Sequence, residues 1–210
     1  MDELAAITVF VTFFAVVGPP KILIAFAHLS RERTPAEMRR LTMVSSLAAA
    51  SVGIVIAYAA DFLTSFFHVS DQALFLAGGV IFFVYAVALV LGTHLGTGAV
   101  EEDEDSSMVS GLRELLLPYI VSPLAVTAEL VESLDEDTWS WRTTVALMYV
   151  AVLVVDFVCI LVLIPLLPRI HVTALEVLSR VLGLLLAAVG VEVFLHGLEA
   201  LGVHLAPSGF

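Results

Sequence analysis

No Asp, Glu, Lys or Arg occurs between Asp71 and Glu101, and within that stretch Val80 to Leu91 is apolar on both parities. A hydrocarbon core of about 30 Å is crossed by one helix of roughly 20 mostly apolar residues, so this run is long enough to span a bilayer. It has company. Apolar stretches recur at 4–29, 41–67, 72–92, 112–134, 143–167 and 174–201. Hydrophobic residues make up 60% of the 210 and charged residues 14%, against about 25% charged in an ordinary soluble domain. The expectation is an all-α polytopic membrane protein with six transmembrane helices, short loops and no separate soluble domain.

A β-barrel also satisfies its backbone in lipid, but its strands alternate between apolar and polar positions, and these stretches do not. Stop and start signals fit helices. Thr34-Pro35-Ala36-Glu37 reads as an N-cap, a proline at the first helical position and an acidic first turn. Ser70-Asp71 opens the third helix, and Pro165 and Pro168 close the fifth. Basic residues favour the cytoplasmic side. Arg31, Arg33, Arg39 and Arg40 lie between the first two helices, Arg113 before the fourth and Arg169 between the last two, while the other side offers only Arg142. This places both termini outside the inner membrane of a prokaryote. Met1-Asp2-Glu3 lacks a basic leader, so the first apolar segment is expected to be retained as a helix. Trp139 and Trp141 are expected as interfacial anchors.

The net charge of -12 argues against nucleic acid as a partner, because phosphate binding needs a positive footprint. Much of it sits in Glu101 to Asp105 and Glu129 to Asp137. The first of these runs reads as a solvated cytoplasmic linker, with divalent-cation binding the weaker reading. Cys159 is the single cysteine, which excludes an intramolecular disulfide.

The chain divides into residues 1–98, a linker at 99–110 and residues 111–210, and the two halves look alike. Val17-Gly18-Pro19 in the first helix has its counterpart in Val121-Ser122-Pro123 in the fourth. Leu76-Ala77-Gly78 resembles Val181-Leu182-Gly183. Pro19 and Gly78 stand 59 positions apart, Pro123 and Gly183 stand 60 apart. Three helices is an odd number, so the second half enters the membrane from the opposite face: two inverted three-helix repeats. Proline removes an N–H and clashes with the preceding turn. Gly18-Pro19-Pro20 is therefore expected to break the first helix, and Pro118 with Ser122-Pro123 the fourth. Such breaks free backbone groups that must be buried or line a wet cavity. Transporters with inverted repeats place their sites at breaks of this kind, while the plainer reading is a pair of packing kinks.

The stretches Phe75-Leu76-Ala77-Gly78-Gly79-Val80-Ile81-Phe82 and Leu178-Ser179-Arg180-Val181-Leu182-Gly183-Leu184-Leu185-Leu186-Ala187-Ala188 resemble the third and sixth helices of the MarC-related family of six-helix membrane proteins, which includes neutral amino acid transporters. The resemblance runs over nearly the whole chain. It implies a membrane transporter of small polar solutes, with a neutral amino acid as the substrate class. The first-helix motif of that family reads Asn-Pro-hydrophobic-Gly-Asn; here Gly18-Pro19-Pro20-Lys21 stands in its place. In the fourth helix Ser122-Pro123-Leu124 stands where the family has Gly-Pro-Gly. An amide is lost and a lysine gained.

The candidate substrate-binding residues are Gly18, Pro19, Pro20, Lys21, Ser122, Pro123 and Thr127. Lys21 reads either as a cation at the site or as a side chain snorkelling to the interface. Glu129, Asp156 and Glu192 are the candidate coupling or charge-pair residues. Asp156 reads as a partner of Lys21, a proton acceptor, or a helix–helix hydrogen bond. Asp61 reads as interfacial, and Glu176 with Arg180 as a structural i, i+4 pair. Glu192 and His196 share a face, but two ligands do not make a metal site, so neither metal nor cofactor is expected.

The preferred expectation is a secondary transporter or exporter of a small polar solute, not an enzyme, with the bilayer as its surroundings and a proton or sodium ion as the coupling ion. The alternatives are an intramembrane enzyme, for which His28 and Glu32 lie one turn apart as a metal or acid–base pair would but no catalytic signature occurs, and a non-transporting membrane subunit. Oligomeric state is not readable from the sequence.

Overall fold

The computed structural model describes residues 3–19, 26, 33–92, 122–164 and 172–203. Over these residues the chain is all-α. Its helices are α1 (Glu3–Val17), α2 (Pro35–Phe67), α3 (Asp71–Leu91), α4 (Pro123–Ser133), α5 (Trp139–Leu163) and α6 (Val172–Ala200). The linker at 99–110, His28, Glu32, Pro118, Pro165 and Pro168 lie outside the described residues, as does the Glu176 side chain.

Local chemistry sets the ends. Thr34 Oγ1 accepts the Glu37 N–H at 3.4 Å, Glu37 Oε2 accepts the Thr34 N–H at 2.8 Å, and Pro35 fills the first helical position. This reciprocal cap starts α2 several residues ahead of the apolar run that marks it in the sequence. Ser70 caps α3 through the Ala73 N–H at 3.3 Å. α2 and α3 end on left-handed residues, His68 (φ 54°) and Gly92 (φ 74°).

α2, α3, α5 and residues Val177–Ala200 of α6 are each long and apolar enough to cross a membrane. Their outer faces confirm the solvent: Val80, Phe83, Val84 and Leu91 on α3, Val154, Val158 and Val162 on α5, and Val181, Leu184 and Leu185 on α6 are all exposed. Apolar faces of that size on every long helix call for lipid around them. α1 and α4 are shorter, about 22 Å and 16 Å at 1.5 Å per residue, and neither crosses the core alone.

The packing has an inverted pseudo-two-fold. α3 packs most extensively against α6, and α2 against α5; α1 meets α4. The remaining contacts between halves are α1 with α5, α2 with α4, α1 with α6 and α3 with α4. Exchanging the halves maps this set onto itself. Both long pairs run antiparallel. Going up α3, Leu76 meets Gly197, Gly79 meets Gly190, Leu89 meets Gly183 and Gly92 meets Arg180. Going down α2, Asp61 meets Arg142, Tyr58 meets Thr143 and Gly53 meets Tyr149.

Two glycines hold α3 and α6 at backbone distance. A β-carbon on Gly79 would stand 2.6 Å from the Gly190 carbonyl oxygen, and one on Gly190 would stand 3.0 Å from that of Gly79. Without a hydrophobic driving force in lipid, such close approach is the main source of helix–helix affinity. The buried core between the other helices is built from Val9, Phe13 and Val16 of α1, Met38, Leu41 and Ala49 of α2, Leu124 and Ala128 of α4, and Val145, Tyr149 and Val152 of α5.

Candidate functional site

The two interrupted helices come first. α1 stops at Val17, although the Gly18 N–H still reaches the Phe14 carbonyl at 3.0 Å. A β-carbon on Gly18 would overlap that carbonyl oxygen, so the chain can turn here only on glycine. Gly18 and Pro19 are both buried. α4 opens at Pro123, whose missing N–H costs nothing at a first helical position. Ser122 is buried and caps it: Oγ accepts the Ala125 N–H at 3.2 Å, and the Ser122 carbonyl accepts the Val126 N–H at 3.0 Å. Thr127 donates to the Pro123 carbonyl at 2.8 Å. Pro123 itself is exposed. Of the residues expected at the site, Pro20 and Lys21 lie outside the described residues.

About 10 Å along α4 from Ser122, at 1.5 Å per residue, is Glu129. It is fully buried, and neither carboxyl oxygen has a hydrogen-bond partner among the described residues. Asp156 of α5 is 2% exposed and likewise has no partner for either oxygen among the described residues. Tyr149 connects the two regions. It lies two turns from Asp156 on the same buried face of α5, with Val145, Val152 and Ile160, and is within electrostatic reach of both carboxyls.

The Tyr149 ring occupies the space that Gly53 leaves open on α2. A β-carbon there would overlap the ring and stand 2.8 Å from Glu129 Oε1. Phe13 closes the other side, edge-on at 5.3 Å between ring centroids. Continuing the α2–α5 register for two more turns brings Ser45 level with Asp156. Ser45 is fully buried, and its hydroxyl also has no partner among the described residues. Glu129, Asp156 and Ser45 are thus buried polar groups, with Tyr149 between helices α2 and α5, in an otherwise apolar interior.

The end of the bundle beyond Glu129 is closed by charge. Buried Arg142 forms an ion pair with Asp61 and a second with Asp137 at 2.7 Å. Its guanidinium lies 5.6 Å from the Trp139 ring centroid, and Trp139 stacks on Tyr58 at 5.7 Å. Tyr58 and Thr143 share a hydrogen bond of 2.9 Å. Asp61 is therefore more than an interfacial residue: it ties α2 to α5.

Trp141 departs from its expected role as an anchor. It is 3% exposed, and its indole N–H donates to the Glu132 carbonyl at 2.7 Å. With a carbonyl partner inside the protein, the ring gains more from the core than from the membrane interface. Trp139, 69% exposed, keeps the expected position.

Glu192 is exposed on α6 and is not brought together with Glu129 or Asp156. Its neighbour on the helix face, His196, instead approaches Asp135 at 3.5 Å and the edge of Phe75 at 5.0 Å. Among the described residues no group of three or more His, Cys, Asp or Glu could hold a metal ion. Tyr149, Gly53 and Ser45 went unnoticed in the sequence. The signal for Tyr149 was there: it stands seven residues from Asp156, hence on the same helix face.

Comparison with known proteins agrees with this architecture. The family described as "MarC family integral membrane protein" matches residues 4–201. A protein of Escherichia coli (strain K12) described as "UPF0056 membrane protein YhcE" is 24% identical over 91% of this chain and 91% of its own length. One from Methanocaldococcus jannaschii, "UPF0056 membrane protein MJ1677", is 22% identical over 95% of this chain and 98% of its own. A Buchnera aphidicola relative described as "UPF0056 membrane protein" is 22% identical over 91% of this chain. No solved structure matches. With a family model covering almost its full length, six helices and an inverted pseudo-two-fold, the chain belongs to the MarC family of integral membrane proteins.

Proposed function

We propose that this protein is a secondary transporter or exporter of a small polar solute, with a neutral amino acid as the first substrate class to test. It moves the solute without chemical conversion. Its site lies where α1 stops at Gly18-Pro19 and α4 starts at Ser122-Pro123. The observation that carries this reading is the matched pair of short helices within an inverted repeat, one ending at the buried Gly18-Pro19 and the other beginning at the buried Ser122 before Pro123. Breaks at membrane depth leave backbone groups that only protein or a wet cavity can satisfy, and a solute can use them. The orientation that goes with it puts the Arg142 end outside, the Thr34 end in the cytoplasm, and the protein in a prokaryotic inner membrane.

The test is uptake of labelled glycine, alanine and serine by purified protein in liposomes, followed by anionic and cationic solutes. Saturable uptake that depends on an ion gradient supports the proposal. No uptake, across a panel that a known transporter handles in the same vesicles, removes it. Lys21→Ala is expected to abolish uptake while leaving the chromatographic profile of the folded protein unchanged, and undiminished uptake in that variant takes Lys21 out of the site.

A further inference from the structure

We infer that Glu129 and Asp156 are proton-binding stations that couple a proton gradient to the proposed transport, an inference that rests on that reading only for the coupling. Both side chains are sealed from solvent, and none of their four carboxyl oxygens has a hydrogen-bond partner among the described residues. A carboxylate in that condition lacks the donors that would compensate its desolvation, a deficit of several kcal/mol. Either a proton arrives or the packing opens.

The surroundings show how little else could serve. Facing Glu129 are Glu132 on its own helix, itself near Asp135, and Tyr149 from α5. Cys159 and Tyr149 are the titratable groups near Asp156. α1 contributes Thr12, against Glu132, and no acid or base among its described side chains. α2 carries Arg39 and Arg40 exposed at one end and Asp61 committed to Arg142 at the other. α3 and α6 add the half-buried Tyr85 and the exposed Asp71, Arg180, Glu192, His196 and Glu199 among their described side chains. No described cation reaches either carboxyl.

A proton needs one oxygen, whereas a hard metal ion needs a cage of several. Glu129 has the Tyr149 ring and the bare backbone of Gly53 around it, which suits the proton. Ser45, level with Asp156 by the α2–α5 register, is a second buried polar group whose hydroxyl has no partner among the described residues. The step itself is simple. An O–H bond forms at a carboxylate oxygen when the proton enters and breaks when it leaves toward the other side, with no redox change.

Labelling with dicyclohexylcarbodiimide, which attacks protonated carboxyls in apolar surroundings, tests the stations without any solute. Intact protein in liposomes is labelled across a pH series and read by peptide mass spectrometry. The expected result is modification of the peptides holding Glu129 and Asp156 that declines as pH rises. Glu129→Gln is expected to remove the first signal and leave the second, and Asp156→Asn the reverse. Unlabelled carboxyls at every pH overturn the inference. In the uptake assay, each variant is expected to lose proton-driven accumulation at least about tenfold, the span typical of coupling free energies. Wild-type uptake driven by sodium and indifferent to a proton gradient overturns the coupling while leaving the transporter standing. Labelling as expected with no uptake of any solute removes the transporter and keeps the stations.

Discussion

Gly53 decides what the interior can hold. Its missing side chain makes room for the Tyr149 ring and sets Glu129 Oε1 beside the α2 backbone. Gly53→Ala is expected to lower stability by about 1–3 kcal/mol through overpacking, read as a drop in thermal unfolding temperature in detergent, with the proposed transport falling as well. An unchanged unfolding temperature would mean that Tyr149 moves aside at no cost. Arg142 plays the opposite part, filling its surroundings with charge. Arg142→Ala removes two ion pairs and a guanidinium packed on Trp139. Because Asp61 and Asp137 are solvated once released, about 1–3 kcal/mol is the expected loss, and Arg142→Lys should recover part of it in the same measurement. At this scale the sequence was legible where charge stood out against an apolar background, as with Glu129 and Asp156. It was not legible where the partner was an ordinary tyrosine or a glycine, since nothing in their local context separates them from packing residues. Asp61 and Arg142 were visible singly, but their pairing needs the α2–α5 register.

At the scale of elements, the sequence marked all six helices and four of the visible ends, because prolines, Ser70 and the Thr34-to-Glu37 cap act locally. What it could not show is which helix faces which, since nearly every face is apolar. Burial separates them in the structure. On α2 the buried positions Ser45, Ala49, Gly53, Ala57 and Ala60 are all small, a stripe that lets α5 and α4 come close. On α3 and α6 the glycines do the same. Gly190→Leu is expected to cost about 3 kcal/mol or more, because backbone atoms of α3 would have to give way, and to appear as loss of monodisperse protein in detergent. Val191→Leu, one position along on the exposed face, should stay within about 0.5 kcal/mol. Equal effects of the two would show that α3 and α6 are not held by their close approach.

For the molecule as a whole, the inversion was legible from the count of spans in each half and the matched prolines, and the antiparallel pairs bear it out. The side of the membrane was read only from arginines. Single cysteines in a Cys159→Ala background test the arrangement: positions 69 and 136 are expected to react with an impermeant thiol reagent from one side of intact cells and position 34 only from the other. Reaction of 69 and 136 from opposite sides would break the topology. The exchange symmetry of the packing has a further consequence. When two halves of one chain are related by a rotation axis lying in the membrane plane, any difference between them can in principle be traded. If the first half takes on the second half's shape and the second half the first's, the molecule is turned inside to outside without a new kind of contact being formed. On the proposed transport reading, the conformation facing the other compartment is this one with the roles of its halves exchanged by rotation about the seam between α3 and α6, where Gly79 meets Gly190.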